Sequence, residues 1–254
     1  MFYVPPESCQ IPQLGELYEK LFGQRRNGTF IEIGAYDGES FSNTSFLADL
    51  GWHGVYVEPV QQYAQICAQR HQNNHVRLLN CAVGDRPGLS KISVGEAISS
   101  MATHHIEQFN QIEWARGHHQ GELQEVHVVT PPQLLKLCFA DNIPAIDLMV
   151  IDVEGFELPI ISAWDFEQCR PRALIIELRD LDTEFSEEIR QESVQILQTL
   201  EGAGYSIFWR DQTNAILTLS PSNSANTPLS PVQEITSQGH SLQASTLPKD
   251  TFSF

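Results

Sequence analysis

The feature that most restricts the fold is a series of short, largely apolar segments separated by helix-periodic stretches. Residues 30–33, 55–57, 76–79, 126–129, 148–151 and 173–176 are such segments, and 148–151 reads Leu-Met-Val-Ile with no polar residue. A strand that is apolar on both sides must be covered on both faces, as a central strand of a parallel sheet is. Leu14, Leu17, Tyr18 and Leu21 recur at helical spacing, and so do Ile189, Ile196, Leu197 and Leu200, up to Gly202. Strands alternating with helices predict right-handed βαβ units and a mostly parallel sheet. Residues 205–209 and 215–219 flank a polar turn and are expected to close that sheet as an antiparallel pair. Ser42-Asn-Thr44 offers N-caps for a short helix carrying Phe46, Leu47 and Leu50. After the turn at 84–88, residues 91–94 read as a hairpin arm.

This pattern predicts one α/β domain over residues 1–219. Residues 95–125, rich in His, Gln and Glu without a clear period, are expected to be a variable insert over the cleft. From 220 to 254 Ser, Thr, Pro, Gln and Asn dominate. Such a segment cannot bury enough apolar area to offset its ordering entropy, so a flexible tail is expected.

Fifteen Lys and Arg stand against 32 Asp and Glu, a net charge of −17. Nucleic acid and anionic membrane surfaces would be repelled by that balance. No apolar stretch reaches the ~18–20 residues that cross a bilayer. Cys9, Cys67, Cys81, Cys138 and Cys169 are scattered, and the N-terminus has no signal-peptide pattern. A cytoplasmic protein with reduced thiols is the expectation; the oligomeric state is left open.

Three motifs carry the chemistry. In the first, Phe30-Ile-Glu-Ile-Gly-Ala-Tyr-Asp-Gly38, an apolar strand runs into a glycine turn that lets the backbone approach a ligand. The second is Glu58, at the end of the next strand and 24 residues beyond Gly34, placed to accept the hydroxyl hydrogens of a nucleoside ribose. Both features suit NAD as well as S-adenosylmethionine. Charge separates them: Asp37 would repel a pyrophosphate, whereas an acidic loop welcomes a cofactor that ends in a sulfonium and an amino group. In the third motif, Ile151-Asp-Val-Glu-Gly-Phe-Glu157, three carboxylates leave a buried strand. Asp152 is expected at the sheet's carboxyl edge and Glu157 towards solvent.

Together with Ser42-Asn-Thr44, Gly51-Trp-His-Gly54, Val57-Glu-Pro59 and Asn80-Cys-Ala-Val-Gly84, these motifs occur in the order seen in the FkbM family of methyltransferases, which the chain resembles over about residues 28–180. The resemblance implies a Rossmann-like class I methyltransferase fold, with a mostly parallel seven-stranded sheet and an antiparallel C-terminal strand pair. It also implies S-adenosylmethionine as donor and a hydroxyl on a small molecule or glycan as acceptor. By position, Glu32, Gly34, Ala35, Tyr36, Asp37 and Gly38, with Asn43, look like the loop at the methionine end. Glu58 and Pro59 would hold the ribose, and Asn80, Cys81 and Ala82 would line the adenine. Asp152 would sit near the amino group or the reacting centre.

Methyl transfer to oxygen needs in-line approach and a route for the proton. Asp152, Glu154 and Glu177 are candidate bases, and His105 is a further one in the acceptor pocket. Three carboxylates at neighbouring strand ends could also hold Mg²⁺, but no metal site is assigned. His104-His105 and His118-His119 match no common zinc spacing. The alternative to an enzyme is a non-catalytic cofactor-binding or interaction module.

Overall fold

The computed structural model describes residues 1–220; the expected flexible tail lies outside the described residues from 221 onward. In chain order the elements are α1 (Leu14–Phe22), β1 (Thr29–Ile33), α2 (Ser45–Asp49), β2 (His53–Val57), α3 (Gln61–Arg70), β3 (Val76–Leu79), β4 (Ala82–Val83), β5 (Gly88–Ser93), α4 (Thr103–Phe109), β6 (Leu123–Val129), α5 (Pro131–Phe139), β7 (Leu148–Ile151), α6 (Glu157–Ala163), β8 (Ala173–Glu177), α7 (Glu187–Gly202), β9 (Tyr205–Arg210) and β10 (Asn214–Leu219).

Seven strands form one sheet in the order β3-β2-β1-β7-β8-β10-β9. The first five are parallel, and β10 runs antiparallel to both β8 and β9. This is the Rossmann-like class I methyltransferase sheet expected from the sequence. Its strand order reverses between β1 and β7, and a ligand crevice opens outside the carboxyl ends of strands at such a switch.

The strand residues explain why both faces are covered. Ile31, Ile33, Met149, Ile151, Leu174 and Ile176 point into one buried cluster. Their alternates Phe30, Leu148, Val150, Ala173 and Ile175 point into a second, beneath Leu14, Tyr18 and Leu47. With period 2 in a strand, each apolar run feeds two cores at once.

One expectation of the fold needs correction. Residues 126–129 do not join the main sheet: β6 pairs with β4 and β5 in a separate three-stranded sheet. Apolar character reported burial there, not the strand partner. The 42–44 stretch caps α2 as expected: Thr44 holds the cap position, and the Ser42 hydroxyl accepts from the N–H groups of Thr44 (3.2 Å) and Ser45 (3.0 Å). Elsewhere local chemistry works as the sequence suggests. Thr130 and Gln133 form a capping box on α5, and Ser186 caps α7 ahead of Glu187 and Glu188. Among the described residues, no helix is long and apolar enough to cross a membrane.

Candidate active site

β1 delivers Gly34 to the switch point. Its φ of +90° suits glycine, and a Cβ there would lie 1.7 Å from the carbonyl oxygen of Asp152 at the end of β7. The N–H groups of Gly34 and Ala35 both donate to the Val57 carbonyl, at 2.9 and 3.1 Å. Tyr36 follows at φ +48°, and its N–H donates to Glu58 Oε2 at 2.8 Å. Glu58 Oε1 accepts from Val60 N–H, also at 2.8 Å. Burial pushes the Glu58 carboxyl up to about 7, the two N–H donors partly offsetting it.

A cleft open to solvent lies beside these residues. Gly34 and Tyr36 from the loop after β1 line it, with Glu58 and Pro59 from the end of β2 and Cys81, Ala82 and Ile92 from the following segment. Glu96, Ala97, Ser99 and Met101, and Asp152 and Glu154 from the end of β7, complete the lining. Of the residues named from sequence, Gly34, Tyr36, Glu58, Pro59, Cys81, Ala82, Asp152 and Glu154 therefore meet at one cleft.

The others stand behind it. Asp37 closes the glycine turn, accepting from the N–H groups of Glu39 (2.9 Å) and Ser40 (2.7 Å) and from the Ser40 hydroxyl. The Gly38 carbonyl accepts from His71 Nε2. Glu32 is buried and accepts from the Ser42 and Thr44 hydroxyls; burial pushes its carboxyl up to about 7. Asn43 is buried beneath the loop. Asn80 braces the Glu58-Pro59 turn, its amide donating to both carbonyls at 2.8 and 3.0 Å. Ala35 is buried and packs into the core below the turn.

At the end of β7 the chain turns sharply through Glu154 (φ +53°) and Gly155 (φ +104°). A side chain at Gly155 would press on the His105 ring, 2.4 Å from it. Glu157 does not face solvent as expected. It is buried, and its two oxygens accept from Val153 N–H (2.8 Å) and Gly155 N–H (2.9 Å), holding the turn. Arg179, which sequence reasoning missed, supplies the cation for this acidic cluster. Its Nη2 donates to Glu177 at 2.6 Å and to Glu154 at 3.2 Å, and its guanidinium lies 4.5 Å from the centre of the Phe185 ring. The signal was present: two residues beyond Glu177, Arg179 projects to the same side of the extended chain.

Three carboxylates, Asp152, Glu157 and Glu177, bring oxygens within 4.8 Å of one another, with Arg179 as the neighbouring counter-charge. Burial, and then the charge of Glu157, pushes Asp152 up to about 6. Burial pushes Glu154 up to about 8, although Arg179 opposes it. Glu177 and His105 are not in the cleft. They line a separate, smaller cavity with Arg179 and Glu192, where Glu192 also contacts His104 at 3.1 Å.

A family model described as the methyltransferase FkbM domain matches residues 32–207. A search of curated proteins finds no match. Among solved structures, the chain is similar to an O-methyltransferase from Bacillus cereus in complex with SAH, at 14% identity over 85% of this chain and 84% of that one (TM-score 0.46). It is similar to the O-methyltransferase TomG from Streptomyces achromogenes in complex with SAM, at 13% identity over 85% and 83% (TM-score 0.46). Aeropyrum pernix fibrillarin is similar at 12% identity over 80% and 72% (TM-score 0.42).

Proposed function

Because the chain belongs to the FkbM methyltransferase family, we propose that it uses S-adenosylmethionine to methylate a hydroxyl oxygen on a small molecule or glycan. The observation that carries this reading is the charge of the cleft. Glu58, Glu96, Asp152 and Glu154 line it, and no Lys or Arg does among the described residues. A pyrophosphate would find no basic side chain in that lining and would be repelled by its carboxylates as they ionise, whereas a cationic donor is attracted and favours their ionised forms.

When bound, the donor's sulfonium supplies an electrophilic methyl group with a good leaving group behind it. Glu58 is placed to take the ribose hydroxyls through its remaining lone pairs. Cys81, Ala82 and Ile92 offer an apolar wall for the adenine. Gly34, whose missing Cβ lets its turn pack against the Asp152 carbonyl, joins the two strand ends beneath the donor.

Asp152 is the group we assign as proton acceptor for the substrate hydroxyl. It faces the cleft, and at about 6 its carboxyl is ionised at neutral pH yet still basic, as a general base should be. Glu154 is tied to Arg179, and Glu177 faces the other cavity, so neither competes for that role. Met101 and Ala97 add apolar surface to the lining of the cleft.

Glu58→Gln tests the donor site. Loss of charge-assisted bonds to the ribose should weaken S-adenosylhomocysteine binding by roughly 10–100-fold in calorimetry. In the wild type, affinity should fall as pH drops below about 7, where Glu58 takes up its proton; the variant should lose that dependence. Affinity unchanged in a variant that still melts cooperatively removes Glu58 from the ribose.

A further inference from the structure

The matched family domain begins at residue 32, yet the N-terminal segment reaches Asp152, a residue that lines the cleft. Tyr3, Cys9 and Ile11 are buried in the same cluster as Phe30, Leu148 and Val150. Cys9 and Phe41 form a parallel bridge, and Phe41 N–H donates to the Ser8 carbonyl at 2.8 Å. This fastens the segment to the loop that follows β1 and brings Gln10 onto Asp152, 142 residues away in sequence.

The contact is specific at both ends of the Gln10 amide. Nε2 donates to Asp152 Oδ2 at 2.8 Å, and Oε1 accepts from Asn43 Nδ2 at 2.9 Å. Asn43 is itself fixed: it is buried, and its carbonyl accepts from the Tyr18 hydroxyl at 2.7 Å. Turning the amide over would set an oxygen against a carboxylate and an NH₂ against an NH₂, so both partners enforce one orientation.

We infer that Gln10 is a positioning residue, holding the Asp152 carboxylate towards the cleft and making the N-terminal segment part of the active site. The inference rests on the reading of Asp152 as proton acceptor. Asp152 interacts with the carboxylates of Glu32, Glu154, Glu157 and Glu177, and with Arg179 as counter-charge. A second cation at Gln10 would fix the carboxylate but suppress its basicity. A neutral amide orients it with a much smaller effect on proton affinity.

The test uses the full chain labelled with ¹³C-aspartate, the Asp152 carboxyl signal being identified by its loss in Asp152→Asn. Gln10→Met removes the donor at similar size, and Gln10→Glu sets a like charge in its place. The titration midpoint of Asp152 should move up in Gln10→Met and further in Gln10→Glu. With an acceptor in hand, kcat of Gln10→Met should fall on the order of tenfold, and S-adenosylhomocysteine affinity should change by less than about threefold. Unmoved midpoints in both variants, alongside an inactive Asp152→Asn, would overturn the role of Gln10 alone. An Asp152→Asn enzyme that keeps its full kcat would instead overturn the reading of Asp152 on which the inference rests.

Discussion

Asp152→Asn is expected to lower kcat by about 10²–10⁴-fold, the range a general base contributes, while the protein folds normally and still binds S-adenosylhomocysteine. Asparagine keeps the shape of the side chain and an oxygen for the Gln10 amide, so what is removed is the capacity to take a proton. The pH dependence gives an independent reading of the same group. Burial and the charge of Glu157 raise the carboxyl to about 6, and only its ionised form can accept the proton. Wild-type kcat/KM should therefore fall as pH drops through about 6, and that acidic limb should be missing from the residual activity of the variant. Full activity in Asp152→Asn would move proton transfer elsewhere, with Glu154 the next carboxylate on the cleft.

Gly34→Ala should produce the largest loss of stability of any single methyl added to the chain's glycine turns. Two costs combine there. The φ of +90° is strained for any residue with a Cβ. The added carbon would also stand 1.7 Å from the Asp152 carbonyl oxygen, a backbone atom on the neighbouring strand that cannot swing aside. Relief requires β1 and β7 to part at the carboxyl edge, where Asp152 N–H donates to the Ile33 carbonyl at 3.0 Å. We expect a loss of roughly 3–5 kcal/mol, or a fall in Tm of about 6–20 °C for a chain of this size, together with loss of donor binding. Gly23→Ala is the control. Its φ is +61° and ψ −149°, and nothing lies within 4 Å of the added carbon, so only the backbone strain of roughly 1–3 kcal/mol applies. Equal losses at the two sites in thermal unfolding would show that the approach to Asp152 does not matter.

The parts of this protein legible from sequence are those whose physics is local. Residues 148–151 and 173–176 are apolar because both sheet faces are covered, and they lie side by side as β7 and β8. Glu58 could be singled out because an acid at a strand end, a set distance after a glycine turn, has a chemical reason to be there. What sequence could not give was set by the partner rather than the residue. The valines of 126–129 signalled burial, but only tertiary packing sends β6 to a second sheet. Glu157 read as exposed because nothing in its neighbours reveals that the turn at Glu154-Gly155 would fold two N–H groups back onto it. Gln10 sits in a segment with no period, and its role exists only because the bridge between Cys9 and Phe41 brings it onto Asp152.

The central claim is that the cleft between β1, β2 and β7 is a site for a cationic nucleoside donor. Calorimetric titration of the purified protein with S-adenosylmethionine, S-adenosylhomocysteine and NAD tests it most directly. Micromolar binding of the two sulfur compounds at pH 8, with Glu58 ionised, and no heat from NAD is the result this account predicts. NAD binding as tightly as S-adenosylmethionine, or no binding of either sulfur compound, would contradict it.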